Sequence, residues 1–187
     1  MIVKEGPASH SPFKLESLLI RLQSLDNNIT GLGARFIHLI DAENELSEEH
    51  DQILSSILEY GPNWPFGAEE GFKIFSFPRF GTISPWSSKA TDIAKVCGLD
   101  SVKRIERGIA FTIQLKDLNL EPKKEAIDLL HDRMTELVIS ELDQASEIFV
   151  TLEPKPSSTI DILSDGKNAL EVANQELGLA LNDEEME

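Results

Sequence analysis

Two tripeptides 73 positions apart, Ser11-Pro12-Phe13 and Ser84-Pro85-Trp86, constrain this chain more than any other feature in it. A serine hydroxyl can accept from an orphaned N–H of a first helical turn, and a proline just inside that turn has no N–H to leave unpaired. Each tripeptide therefore predicts a helix start followed by an aromatic residue. The elements around the two starts come in the same order. In the first half, Ile2 and Val3 predict a short strand, and Leu15, Leu18, Leu19, Leu22 and Leu25 line one face of a helix that Asp26-Asn27-Asn28 ends. Ala34 to Ile40 reads as a strand, and Ser47 caps a second helix whose buried face is Ile53, Leu54, Ile57 and Leu58, stopped by Gly61-Pro62. In the second half the series is a strand from Phe72 to Phe77, a loop through Gly81, a helix from Ser84, a strand near Ile109 to Leu115 and a helix after Pro122. A repeated order at a fixed separation predicts an internal duplication.

Strands of such units pair into one sheet, and helices with a single apolar stripe must cover one of its faces. The expected fold is α+β: a pseudo-twofold pair of strand-helix-strand-helix units forming a mainly antiparallel sheet covered by helices. The halves fall at about 1–60 and 72–140, joined by a connector from Gly61 to Gly71, within a duplicated domain spanning 1–152. Further helix is expected from His131 to Glu141, on which His131, Asp132 and Arg133 take a salt-bridged structural or interface role, and a strand from Ile148 to Leu152. Pro154 to Ser158 reads as a linker. It opens an acidic region, 153–187, that is expected to be incomplete: from Glu141 onward there are 12 acidic residues and two lysines, and the apolar side of a helical piece with Leu170, Val172, Ala173, Leu177 and Leu179 through Leu181 needs a partner from further sequence or another chain.

Charge and motifs remove several functions. With 33 acidic and 17 basic residues, the net charge of -16 repels nucleic-acid phosphates and anionic membranes. No apolar window reaches the roughly 18 residues of a membrane span, and no leader is recognisable, so a cytoplasmic protein without membrane or nucleic-acid partners is expected. The single cysteine, Cys97, allows no intrachain disulfide and reads as a small buried side chain at a helix end. His10, His38, His50 and His131 stand at no metal-ligand spacing. No phosphate loop, dinucleotide turn, zinc pair or nucleophile elbow occurs.

The stretch from Phe72 to Ile109 has a different balance: seven basic residues against three acidic ones give it a local charge of +4. Within it, Arg79, Thr82, Ser84, Trp86, Ser87, Ser88 and Lys89 gather cations, hydroxyls and free N–H groups at a helix start, where the dipole favours an anion. The plainer reading is an N-cap, a first-turn proline and an aromatic anchor with Lys89 solvated. Neither reading places a catalytic acid, base or nucleophile there.

Pro78 to Ala94, PRFGTISPWSSKATDIA, is similar almost residue for residue to the segment PRPGTISPWSSKATDIA of the large single-chain phosphoribosylformylglycinamidine synthases. Similarity continues at Ile105 to Gly108 and Leu130 to Met134, and more weakly at Gly166 to Leu170 and Glu176 to Ala180. The departure is Phe80, where that family usually has proline, which implies a less rigid turn before Gly81. The resemblance implies the N-terminal portion of a purine-biosynthesis enzyme that uses ATP, magnesium and glutamine-derived ammonia to turn formylglycinamide ribonucleotide into its amidine, through a phosphorylated amide that ammonia attacks. It places the synthetase core and the glutaminase triad downstream, so this chain alone is expected to be inactive and to hold no cofactor, its partner being the remainder of the same polypeptide. It also implies an N-terminal domain like two copies of a small separate subunit. A self-standing small-ligand regulatory module with a duplicated α+β fold, and a small enzyme, remain as alternatives.

Overall fold

The computed structural model describes residues 1–150 and 156–186 and divides the chain into two compact units, Met1–Thr151 and Leu152–Glu187. In the first unit the elements run β1 (Ile2–Ala8), α1 (Pro12–Leu25), β2 (Ile29–Ala42), α2 (Glu48–Leu58), β3 (Phe72–Pro78), α3 (Pro85–Val96), β4 (Val102–Leu115), α4 (Lys124–Ile127) and β5 (Glu136–Ile139), followed by a 3-10 helix, Leu142–Phe149. All five strands form one sheet in the order β1-β2-β4-β3-β5, with every pairing antiparallel.

The duplication is written into the register. Phe36 pairs with Ile109 at the middle of the β2–β4 ladder, and 36 and 109 differ by the same 73 positions as the caps Ser11 and Ser84. Pairs on either side exchange under that shift: Leu32 with Ile113 answers Ile40 with Ile105. The pseudo-twofold therefore passes through the Phe36–Ile109 pair. Side chains on a strand alternate between faces, and the even-numbered residues of β2 point at the helices. At one end Leu32, Ala34, Phe111 and Ile113 pack against Leu15 and Leu22 of α1 and Ala126 of α4. At the other, Ile40 and Ile105 pack against Leu54 and Leu58 of α2 and Ala90 and Ala94 of α3. On the opposite face Ile37, Leu39, Phe75 and Phe77 meet Ala145 and Ile148 of the 3-10 helix.

All three serine caps form as the sequence predicts. The backbone N–H groups of Lys14, His50 and Ser87 donate to the hydroxyls of Ser11, Ser47 and Ser84 at 3.3, 3.2 and 3.0 Å. Four expectations change. The central strands are twice the expected length, because Gly31, Gly33, Arg104 and Glu106 join the ladder despite their weak strand patterning. The helix expected from His131 to Glu141 is absent. There the Asp132 carboxylate accepts from Met134 N–H and the Glu136 carboxylate from Asp132 N–H, which closes tight turns, and Leu137 to Ile139 then pair with β3. His131, Asp132 and Arg133 thus lie on a turn. The strand expected at Ile148 to Leu152 is replaced, over Ile148 and Phe149, by the 3-10 helix, whose inward residues Leu142, Ala145 and Ile148 recur every three positions as that geometry requires; Thr151 and Leu152 lie outside the described residues. Cys97 is exposed, since it is the C-cap of α3 and Gly98, at φ +84°, turns the chain away behind it.

Gly108 shows how tightly β3 and β4 are packed. A Cβ there would collide with the ring of Phe77, which is fully buried, and with the Ser76 carbonyl. Gly108→Ala should lower stability by about 1–3 kcal/mol, read as a shift in the urea midpoint; an unchanged midpoint would show that the strands part more easily than this packing implies.

In the second unit α5 (Ile162–Leu177) is capped by Asp161, is interrupted at Gly166, whose φ of 60° and ψ of -148° are not helical, and ends at the left-handed Gly178. The Asn174 side chain fastens the following turn, donating to Leu181 O at 3.0 Å and accepting from Leu181 N–H at 2.8 Å.

Candidate functional site

Between strand and helix, the second half is longer than the first. Ala8 is followed three residues later by the cap Ser11, whereas Pro78 is followed six residues later by the cap Ser84. The extra length is the loop Arg79 to Ile83. Thr82 tightens it, its N–H and hydroxyl both donating to Arg79 O at 3.2 and 2.6 Å, and Gly81, at φ +81°, supplies the reversal. The loop is also fastened to the turn before β5. Arg79 N–H donates to Thr135 O at 3.0 Å, and the Arg79 guanidinium donates to Arg133 O at 2.8 Å. Beside these contacts Ile83 and Met134 are 64% and 79% exposed.

The start of α3 lies along a stretch of β4 that β3 does not reach. Two α3 hydroxyls take the place of a neighbouring strand: Ser87 Oγ donates to Ile105 O at 2.6 Å, and Ile105 N–H donates to Thr91 Oγ1 at 3.0 Å. Beside them is an ion pair. The Glu106 side chain is wholly buried, and the Arg104 side chain 16% exposed, with Nη2 2.7 Å from Glu106 Oε2. Glu106 Oε1 also accepts from Ser84 Oγ at 2.6 Å and from Arg107 N–H at 3.1 Å. Arg104 reaches outward in two further directions, donating to Thr82 O at 2.7 Å and to Ile148 O at 2.9 Å. The negative charge nearest this helix start is therefore the chain's own Glu106, and Arg104 joins the loop, the helix and the 3-10 segment to the sheet.

On the helix-covered face, Trp86 is half-buried and stacks on His38 with ring centres 5.5 Å apart. Tyr60 OH lies 2.8 Å from His38 Nε2 and accepts from Arg107 Nη1 at 3.2 Å. Burial, and secondarily the Arg107 charge, hold the His38 pKa down at about 4, so its ring is neutral near pH 7. Burial raises the Tyr60 pKa, with Arg107 opposing it.

Of the residues that the sequence singles out, Arg79, Thr82, Ser88 and Lys89 are exposed, Ser84 and Trp86 half-buried, and Ser87 buried. The loop and helix start bring them into one region, but the Ser84 and Ser87 hydroxyls are engaged internally. Sequence reasoning missed Arg104, Glu106, Arg107, Tyr60 and His38 as members of this region. One signal was available: Arg104 and Glu106 stand two apart on a strand, and hence on one face, with opposite charges.

The decisive comparison covers most of these elements. A family model described as formylglycinamide ribonucleotide amidotransferase N-terminal matches residues 35–149. The chain belongs to that family. The matched part of this formylglycinamide ribonucleotide amidotransferase N-terminal domain runs from within β2 to the end of the 3-10 helix, and so holds the loop, the Arg104–Glu106 pair and the Trp86 cluster. The family's description places it with a purine-biosynthesis amidotransferase. Among the described residues no three His, Cys, Asp or Glu side chains are grouped to hold a metal ion, and no helix is long and apolar enough to cross a membrane.

Proposed function

We propose that this chain is the non-catalytic N-terminal domain of a cytoplasmic, ATP-dependent ligase that converts formylglycinamide ribonucleotide and glutamine into formylglycinamidine ribonucleotide. Its role is to pack on a synthetase core and to help close the site there, so that water is excluded and ammonia is guided. The family match carries this reading, and the surface supports it. The loop Arg79 to Ile83 and the turn Arg133 to Met134 present two arginines beside two exposed apolar side chains, the mixture enriched in protein interfaces. ATP and magnesium belong, in this reading, to the remainder of the polypeptide. This chain contributes no cluster that fits the cation among its described residues.

Ser88 and Lys89 stand exposed on the first turns of α3, and Thr82 on the loop before it. From there they face the synthetase core near the ribonucleotide. In the full-length enzyme, Lys89→Ala should raise the KM for the ribonucleotide several-fold at unchanged thermal stability. An unchanged KM with the fold intact would remove substrate proximity from this role and leave only docking.

A further inference from the structure

The pseudo-twofold allows one half of the sheet to serve as a control for the other. At the position of Arg107 the first half has Ala34, 2% exposed, and at the position of His38 the second half has Phe111, 1% exposed. Packing at this level of the fold therefore does not require a cation: in the first half the buried ring of His10 meets Phe111 edge-on, and alanine stands at the position of the arginine. Where the other half makes do with alanine, β4 places a cation against the helix-covered face.

That cation is held in a defined orientation. The Arg107 guanidinium carbon lies 4.2 Å from the ring centre of Phe36, 4.6 Å from that of Trp86 and 5.8 Å from that of Tyr60, whose hydroxyl takes one N–H. No carboxylate stands within ion-pair distance of it among the described residues, in a chain of net charge -16. Among the described residues its remaining nitrogens make no hydrogen bond and are not among the buried unpaired atoms, so they reach the surface. Phe36, Tyr60, Trp86 and Arg107 are each partly exposed. A planar guanidinium with its faces against aromatic rings and an edge left open is pre-organised for a forked pair of hydrogen bonds to an oxyanion.

We propose that Arg107, set among Phe36, Trp86 and Tyr60, is a binding site for the oxyanion group, phosphate or carboxylate, of a small molecule. The site lies on the helix-covered face and does not depend on the docking role above. It can therefore fail while that role stands, and the reverse.

The test uses the 187-residue chain with Trp64→Phe, which leaves Trp86 as its one tryptophan. Inorganic phosphate and succinate are titrated separately against sodium chloride at matched ionic strength, following Trp86 emission and the Arg107 Nε–H resonance. At least one of the two anions should give a saturable shift of both signals, and which one does so identifies the ligand class. Arg107→Met should abolish the response, and Arg107→Lys, which keeps the charge without the fork, should weaken it at least fivefold. No saturable shift with either anion overturns the proposal, as does a lysine or methionine variant that responds like its parent. If the methionine variant does not fold, the Nε–H titration and the lysine variant decide.

Discussion

Glu106→Ala should destabilise the duplicated domain by about 3–5 kcal/mol, more than any substitution confined to the surface. The carboxylate is completely buried and serves four donors: the Arg104 guanidinium, the Ser84 hydroxyl, the Ser84 N–H at 3.5 Å and the Arg107 N–H. Its removal leaves Arg104, itself largely buried, without its counter-charge, and an unpaired charge away from water costs more than the pair contributes when intact. Glu106→Gln keeps the shape and one acceptor oxygen but not the charge, and should fall between alanine and the parent. The discriminating variant is the double replacement Arg104→Met/Glu106→Leu. It removes both charges together and should recover much of the loss, because an apolar pair of similar volume carries no desolvation penalty. Urea unfolding at pH 7 of the parent, Arg104→Met, Glu106→Leu and the double variant, read as a double-mutant cycle, measures the coupling. If Glu106→Ala costs no more than about 0.5 kcal/mol, the ordinary surface value, water reaches the pair and it does not hold the loop.

The same pair shows why some of this fold could be read from the sequence and some could not. The caps Ser11, Ser47 and Ser84 form because the whole interaction is local, a hydroxyl and an N–H three residues on. The repeat was legible for the same reason, since two local signals recur at one separation. The full length of β4 was not. Arg104 and Glu106 look like surface residues, and they become buried only when Thr82 and Ile148, 22 and 44 residues from Arg104, close over them. The turn through Asp132 failed in the opposite sense. A charged stretch compatible with helix is diverted because Leu137 to Ile139 find a partner in β3, some 60 residues earlier. Trp86 reads as an anchor from its place after Ser84-Pro85, but its neighbours come from β2, β4 and the segment that follows α2, and no local pattern announces them. Around the helix start, the sequence singles out residues of the loop and of α3, and it offers no local sign of Tyr60 or of the strand residues packed beside them.

Acid should unfold this domain through two histidines before its carboxylates have finished titrating. His10 is 6% exposed and His38 wholly buried, and burial holds both pKa values near 4, with Lys14 lowering the first and Arg107 the second. In an unfolded chain each would titrate near 6.5. Between those limits the unfolded state binds more protons than the native one, so stability rises with pH and is lost as pH falls from about 6.5 toward 4. Each histidine can contribute about 3 kcal/mol across the whole window, at roughly 1.4 kcal/mol per pH unit. The excess negative charge acts the other way, because protonating exposed carboxylates relieves their repulsion. That contribution is common to the parent and to histidine variants, so the difference in slope isolates the rings. Urea midpoints for the parent should fall steeply between pH 6.5 and pH 5, His38→Gln and His10→Gln should each show about half that slope, and the double variant should be nearly flat. A His38→Gln slope equal to the parent's would mean that the ring takes up its proton without leaving the core, which its stacking on Trp86 and the Arg107 charge beside it oppose. Arg107→Met should restore only part of the His38 pKa, because burial is the larger cause and the ring stays buried when the guanidinium is gone.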